Sequence, residues 1–449
     1  MSYLIVVISL LFAFFVMIKP RMAYFTATFL LPFMPRYFAI EFGSGMALSL
    51  KRLFIYILFG WIVISIMVAR KSWSHVYELG HQWGFFIGLT ATLYAFKLLS
   101  TLMGSGLYNL VYFIDDLLAV AVFILLAFRY LIDYRDIRIY IIILVSSLLL
   151  SEFMAVIEYS LGHPLLQGII NIEVYQSRDA MEGFVRENRY RTLAGFDNPL
   201  LLSEFICLLA PMLLACYSMR HRFLGITAGI LLVPAIYFTG SRSGFIVLLF
   251  SIIISYIALF QSKIKILPGR FLVKFFIASA SLLIMGIAVK SIFDPYWVVK
   301  TFSFLNSSTA EIISTMARLR QYEIVYKALT DNLVFGFGLM QNFSAIGVIG
   351  LDSYYLRLLL EGGVVVLLLY LVHIIYIITL SVRLVQNGNV PIIERKLAVS
   401  LLGSAGSFIV VRMFVSMPFN NTFFYTFAAL TMILNSRYPI SEKETAKYI

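Results

Sequence analysis

The chain has 449 residues, of which 61% are hydrophobic and 13% charged, with a mean hydropathy of +0.92. A soluble domain is about half apolar and about a quarter charged, so this composition excludes a water-soluble enzyme. Apolar residues dominate and there are 2 cysteines, which excludes a disordered chain and a disulfide scaffold. The net charge of +12, from 35 basic and 23 acidic residues, would point to nucleic acid in a soluble protein. Here it belongs to the cytoplasmic turns between membrane helices, and nucleic acid is not an expected partner.

Apolar runs occupy 2–18, 22–40, 53–69, 82–102, 107–128, 138–158, 199–217, 223–239, 243–261, 275–292, 358–380, 397–415 and 422–436. At about 20 residues per crossing they predict an all-α polytopic membrane protein with about 12–14 transmembrane helices. The first run lacks a basic leader and a small-residue cleavage site, so it is read as a retained helix. Lys19 and Arg21, Arg70 and Lys71, Arg129 to Arg138, Arg220 and Arg222, Lys263 to Lys274, and Arg383 to Lys396 mark alternate turns. By the positive-inside rule these turns are cytoplasmic. The alternation divides the chain into an N-terminal bundle (1–158), a first outer loop (159–198), central helices (199–292), a second outer loop (293–357) and C-terminal helices with a tail (358–449).

The cytoplasmic connections are too short for a nucleotide-binding domain, and no Walker-type Gly-rich loop is present. Chemistry is therefore expected outside, on a substrate already activated in the membrane. No internal repeat of the kind transporters carry is visible. Cys207 and Cys216 share one apolar run without metal-ligand spacing and read as packing residues.

Five basic residues break the topology rule: Lys51, Arg52, Lys97, Arg242 and Arg412 lie near outer helix ends. Each has a bland reading, either snorkelling or pairing with an acid such as Asp115, Asp116 or Glu204. As a group on one face they fit an anion site such as a lipid diphosphate, since the planar guanidinium binds phosphate oxygens bidentately.

The first outer loop mixes Arg178, Arg186, Arg189 and Arg191 with acids, then ends RTLAGFDNP before an apolar segment. Asn198-Pro199 reads as a helix start, with proline in the first turn. In the second loop, MARLRQYEIVYKAL is amphipathic, with Leu319, Tyr322, Tyr326 and Leu329 at helical spacing, and it carries Arg318 and Arg320. The sequence GFG follows at Gly336 to Gly338. Asp352-Ser353 then gives an N-cap signal ahead of a run in which Arg357 and Glu361, four apart, can pair.

Read in order, these segments resemble the bacterial O-antigen ligase and Wzy-type O-antigen polymerase superfamily. The resemblance rests on Arg191 ahead of Phe196, Asn198 and Pro199; on GSRSG with Arg242; and on Arg318, Leu319 and Tyr322 before Gly336 and Gly338. It ends with Asp352, Ser353, Glu361 and Gly362. Two positions depart from the family: Ala194 stands where it has Gly, and Asp352 stands where its ligases have a functional His. The second departure favours a polymerase over a ligase.

The resemblance implies a GT-C-type, inverting, metal-independent glycosyltransferase without cofactor, acting on undecaprenyl diphosphate-linked oligosaccharide as donor and acceptor. The absence of an Asp-x-Asp pair and of a His-rich cluster agrees with metal independence. It implies residence in the bacterial inner membrane with the active site on the periplasmic face, and admits a chain-length regulator as partner. Arg191 and Arg318 are assigned to the donor diphosphate and Asp352 to the general base. Arg242, Asn198, Arg320, Tyr322, Lys51, Arg52 and Arg412 are assigned to substrate binding. The rival readings are an O-antigen ligase acting on lipid A core or protein, and a lipid-linked oligosaccharide flippase.

Overall fold

Most of the apolar runs become helices here, and several begin with a proline in the first turn. The computed structural model describes residues 2–35, 38–42, 46–104, 109–166, 185–186, 189–219, 221–261, 320–330, 332–339, 351–415 and 420–439. Helix α1 (Ser2–Ile18) is followed by α2 (Pro20–Leu30), where Pro20 sits in the first turn. Pro32 and Pro35 then prevent α2 from continuing. The expected span at 22–40 is thus corrected: α2 has 11 residues, about 16 Å, half the apolar thickness of a bilayer. The rest of that run enters an antiparallel hairpin, β1 (Ala39–Phe42) with β2 (Met46–Ser49). Ser49 caps the next helix, its side chain accepting from the Arg52 N–H at 3.4 Å.

The chain continues through α3 (Leu50–Val68), a short amphipathic α4 (Ser74–Gln82), α5 (Gly84–Gly104), α6 (Leu110–Tyr130) and α7 (Tyr134–Leu161). Gly162 ends α7 in the left-handed conformation at φ 72°. A two-residue hairpin, β3 (Val185–Arg186) and β4 (Arg189–Tyr190), leads to α8 (Pro199–Leu209) and α9 (Met212–Ser218). These two are bent by 42°. Pro211, which has no N–H to give, stands at the break. Then come α10 (Arg222–Phe238), α11 (Arg242–Gln261), α12 (320–329), α13 (Tyr354–Gln386), α14 (Ile392–Val411) and α15 (Asn421–Arg437).

This is an all-α polytopic membrane protein. Among the described residues, 6 helices are long and apolar enough to cross a bilayer, and the bent pair α8–α9 makes up to 7. The shorter α1, α10 and α15 have 17 residues each, and α14 opens with Glu394, Arg395 and Lys396. The expected span at 275–292 and the basic turn at 263–274 lie outside the described residues. α15 is buried along almost its whole length, as is α8, so these two form the centre of the bundle. Exposed Leu10, Leu11 and Phe14 of α1, and Phe260 of α11, mark outward faces. At the end carrying the basic turns, Arg21 pairs with Asp136, and Arg138 donates to His221.

Candidate active site

The opposite end of the bundle gathers the motifs singled out in the sequence. Asn198 starts α8 as expected: its Oδ1 accepts the Leu200 N–H at 2.8 Å, with Pro199 in the first turn. The stretch before it lies against the end of α10, with the Thr192 N–H donating to the Phe238 carbonyl at 3.0 Å. One residue earlier, Arg191 Nε donates to the Thr239 carbonyl at 2.8 Å.

Gly240 makes room for that side chain. A Cβ there would stand 3.1 Å from Arg191 Nε and 3.3 Å from its Cγ, and the residue has φ 65°. The same GSRSG turn then opens α11, where Ser241 Oγ accepts the Gly244 N–H at 3.2 Å and Arg242 is exposed in the first helical position. Two motifs joined by a contact that spans 48 positions are therefore one structure. A basic residue at a helix N-terminus opposes the macrodipole, so Arg242 adds charge where the helix already favours an anion.

The Gly-x-Gly and Glu-Gly motifs also meet. α13 carries a break at Gly363 (φ 68°, ψ −170°), and the turn 333–338 docks into it. Phe337 N–H donates to the Leu360 carbonyl at 2.7 Å, Gly338 N–H to Glu361 at 2.9 Å, and Val364 N–H to Leu333 at 2.9 Å. Ser100 of α5 donates to the carbonyls of Phe335 and Glu361, tying a third element to the joint. Arg357 and Glu361 form the expected pair at 2.7 Å.

Asp352 is half-buried beside this joint, and its backbone N–H donates to Gln321 Oε1 of α12 at 3.2 Å. Ser353, not Asp352, stands at the N-cap position of α13, and its side chain makes no cap hydrogen bond. Tyr354 N–H donates to the Arg412 carbonyl at 2.9 Å, holding the start of α13 on the end of α14.

Three of the five rule-breaking cations are paired with the acids named from sequence. Arg52 meets Asp115 at 2.7 Å and Lys97 meets Asp116 at 2.7 Å. Arg412 meets Glu204 at 3.1 Å with both side chains 0% exposed. Arg412 also donates to Asn421 Oδ1 at 2.8 Å and covers the rings of Tyr354 and Phe408. This is a fully buried, packed position, and the pairing with Glu204 is the bland reading weighed from the sequence. Lys51 is half-buried in the first turn of α3.

In α12 the buried face is Val325 and Leu329, packed on Leu356 and Leu360. Tyr322 is 53% and Tyr326 76% exposed, while Leu329 of the same helical stripe is buried. Arg320 is exposed on the same helix, and Arg318 lies outside the described residues.

Glu158 was missed. It is an acid in the last turn of an apolar helix, and its carboxylate accepts three backbone N–H groups, from Leu165, Leu193 and Ala194. Burial, with that carboxylate nearby, raises the pKa of the Tyr190 phenol and holds it protonated. α8 connects the two motif groups: Asn198 begins it, and Glu204 along it holds Arg412.

Residues 227–371 match the family described as O-antigen ligase. The chain carries the domain of the O-antigen ligase and Wzy-type superfamily. The matched segment takes in the GSRSG turn, the Gly-x-Gly turn, Asp352 and the Glu-Gly break of α13, while Arg191 precedes it. Members of this family are glycosyltransferase-like enzymes, and the general function is of the O-antigen ligase or polymerase type, in surface polysaccharide biosynthesis. None of the curated proteins compared with the chain matches it.

Proposed function

We propose that this protein polymerises lipid-linked oligosaccharide repeat units, moving the growing glycan from polyprenyl diphosphate to a newly arrived lipid-linked unit on the periplasmic face of the bacterial inner membrane. The observation that carries this reading is the convergence of four sequence motifs, two by two, at the bundle end opposite the basic turns. Asp352 in the place of a ligase histidine supports polymerisation over ligation.

In this mechanism an acceptor hydroxyl gives its proton to Asp352 while its oxygen attacks the anomeric carbon. The bond from that carbon to the diphosphate oxygen breaks, and the diphosphate leaves on its lipid. Attack from the face opposite the leaving group inverts the anomeric centre. Arg191 and Arg318 meet the charge that develops on the diphosphate, with Arg242 two residues after the Gly240 on which Arg191 packs. Such donors are worth about 10²–10³ in rate each, and a positioned base about 10²–10⁴. Diphosphate is a good leaving group, so arginine charge supplies what a metal would.

The family's own description favours a second reading, a ligase that delivers finished glycan to lipid A core or protein. One experiment separates them: purified protein is given a synthetic diphospholipid repeat unit without nucleotide or metal. Polymerisation predicts a ladder of lengthening glycans on diphospholipid. Transfer that occurs only when a lipid A core or protein acceptor is added identifies the ligase, and no glycan transfer in either case overturns both.

A further inference from the structure

The carboxylate of Glu158 occupies an electrostatically awkward place. It is buried in the last turn of α7, where the helix dipole disfavours negative charge. It stays there because three backbone donors converge on it. Leu193 N–H at 2.7 Å and Ala194 N–H at 2.9 Å share Oε2, and Leu165 N–H at 3.1 Å takes Oε1. Ala194 is the one non-glycine residue with positive φ among the described residues, at 47°, and Gly195 follows at 87°. A left-handed alanine is strained, and it persists only where its surroundings hold it. Glu158 is the group that holds it.

The turn so held begins two residues after Arg191, whose Nε is fixed on the Thr239 carbonyl over Gly240. We propose that Glu158 is a positioning residue for Arg191: by gripping the N–H groups of Leu193 and Ala194 it sets where the guanidinium stands at the donor site. The proposal rests on the reading of Arg191 as a diphosphate ligand. Glutamine cannot substitute for Glu158, because only one of its two terminal atoms accepts. Either the pair from Leu193 and Ala194 or the bond from Leu165 is lost, and an NH₂ group then faces an N–H.

The test measures kcat and KM for the diphospholipid donor, per folded molecule, in Glu158→Gln, Glu158→Asp, Arg191→Ala and the double variant Glu158→Gln with Arg191→Ala. Displacement of a contacting group by about 1 Å costs about 10²-fold, so Glu158→Gln is expected to lose about that in kcat/KM. Glu158→Asp, which keeps the carboxylate on a shorter arm, recovers part of the loss. The double variant is expected to be no worse than Arg191→Ala alone, because residues acting as a unit are not additive.

If Arg191→Ala is impaired while Glu158→Gln and Glu158→Asp both turn over like the parent, Glu158 does not position Arg191. If Arg191→Ala itself equals the parent, the donor-site reading fails and the inference falls with it. Should Glu158→Gln fail to fold, Glu158→Asp carries the test. Parent-like turnover per folded molecule contradicts the proposal, and a loss in kcat/KM that disappears in the Arg191→Ala background supports it.

Discussion

Gly363→Ala tests the joint between the Gly-x-Gly turn and the break in α13. At φ 68° and ψ −170° Gly363 occupies a backbone region that side chains disfavour, and forcing alanine into it costs about 1–3 kcal/mol. The added Cβ would lie 2.1 Å from the Val334 carbonyl oxygen and 2.3 Å from its carbon. Both are backbone atoms, so no rotamer change relieves the clash. Relief requires the 333–338 turn to lift off α13, releasing the bonds of Phe337, Gly338 and Val364. At about 0.5–1.5 kcal/mol each, with the conformational cost added, the total is about 2.5–7.5 kcal/mol if all three give way. Gly388→Ala is the control, since a Cβ there meets nothing within 4 Å. Thermal unfolding of purified protein in detergent should show Gly363→Ala several degrees below parent and Gly388→Ala unchanged. Equal midpoints for the two variants would refute the joint as a structural element.

Removing Arg412 leaves the buried Glu204 without its cation and with only the Asn420 amide donating to it, so Arg412→Ala should cost about 3–5 kcal/mol in unfolding measurements. The paired variant Glu204→Gln with Arg412→Met should recover much of that, and parent stability in Arg412→Ala would contradict the buried pair. Arg191→Lys and Arg318→Lys keep charge but lose the bidentate fork, and both should lose most glycan transfer in the purified assay. Parent turnover in either removes that residue from the donor site. A cysteine at the exposed Tyr326 should react with an impermeant thiol reagent in cells whose outer membrane alone is permeabilised, whereas one at Gly388 should react only after the inner membrane is lysed. The native Cys207 and Cys216 are buried and should contribute little background. The reverse labelling pattern would invert the topology.

Much of the helical layout was legible because a crossing must be apolar over about 20 residues, a length that composition reveals directly. Local signals transferred equally well. The cap at Asn198 and the Arg357–Glu361 pair each involve residues within four positions of one another. Even Lys97–Asp116 and Arg412–Glu204 were foreseeable as pairs, since a buried cation must find an acid. What stayed hidden depends on backbone atoms far apart in sequence. Nothing in Glu158 announces that it will bind N–H groups 35 and 36 positions later, because every residue but proline offers one. The docking of Gly336 against Gly363 is hidden for the same reason. Which residues of the amphipathic α12 face the protein was hidden too, because aromatic side chains at helical spacing fit a buried stripe and an exposed one alike. Only the partners Leu356 and Leu360 decide between them. The run at 22–40 was misread through its hydropathy, with Pro32 and Pro35 outweighing it.

The central claim is that Asp352 accepts the acceptor proton at this site, and turnover of Asp352→Asn and Asp352→Ser by purified protein tests it most directly. Ser353, not Asp352, stands at the N-cap position of α13, so neither substitution changes that position. Both variants should fold and bind the diphospholipid donor like the parent yet lose about 10²–10⁴ in glycan transfer, because neither replacement takes a proton near neutral pH. Transfer at near-parent rates in both would contradict the account and leave acceptor activation to positioning and arginine charge.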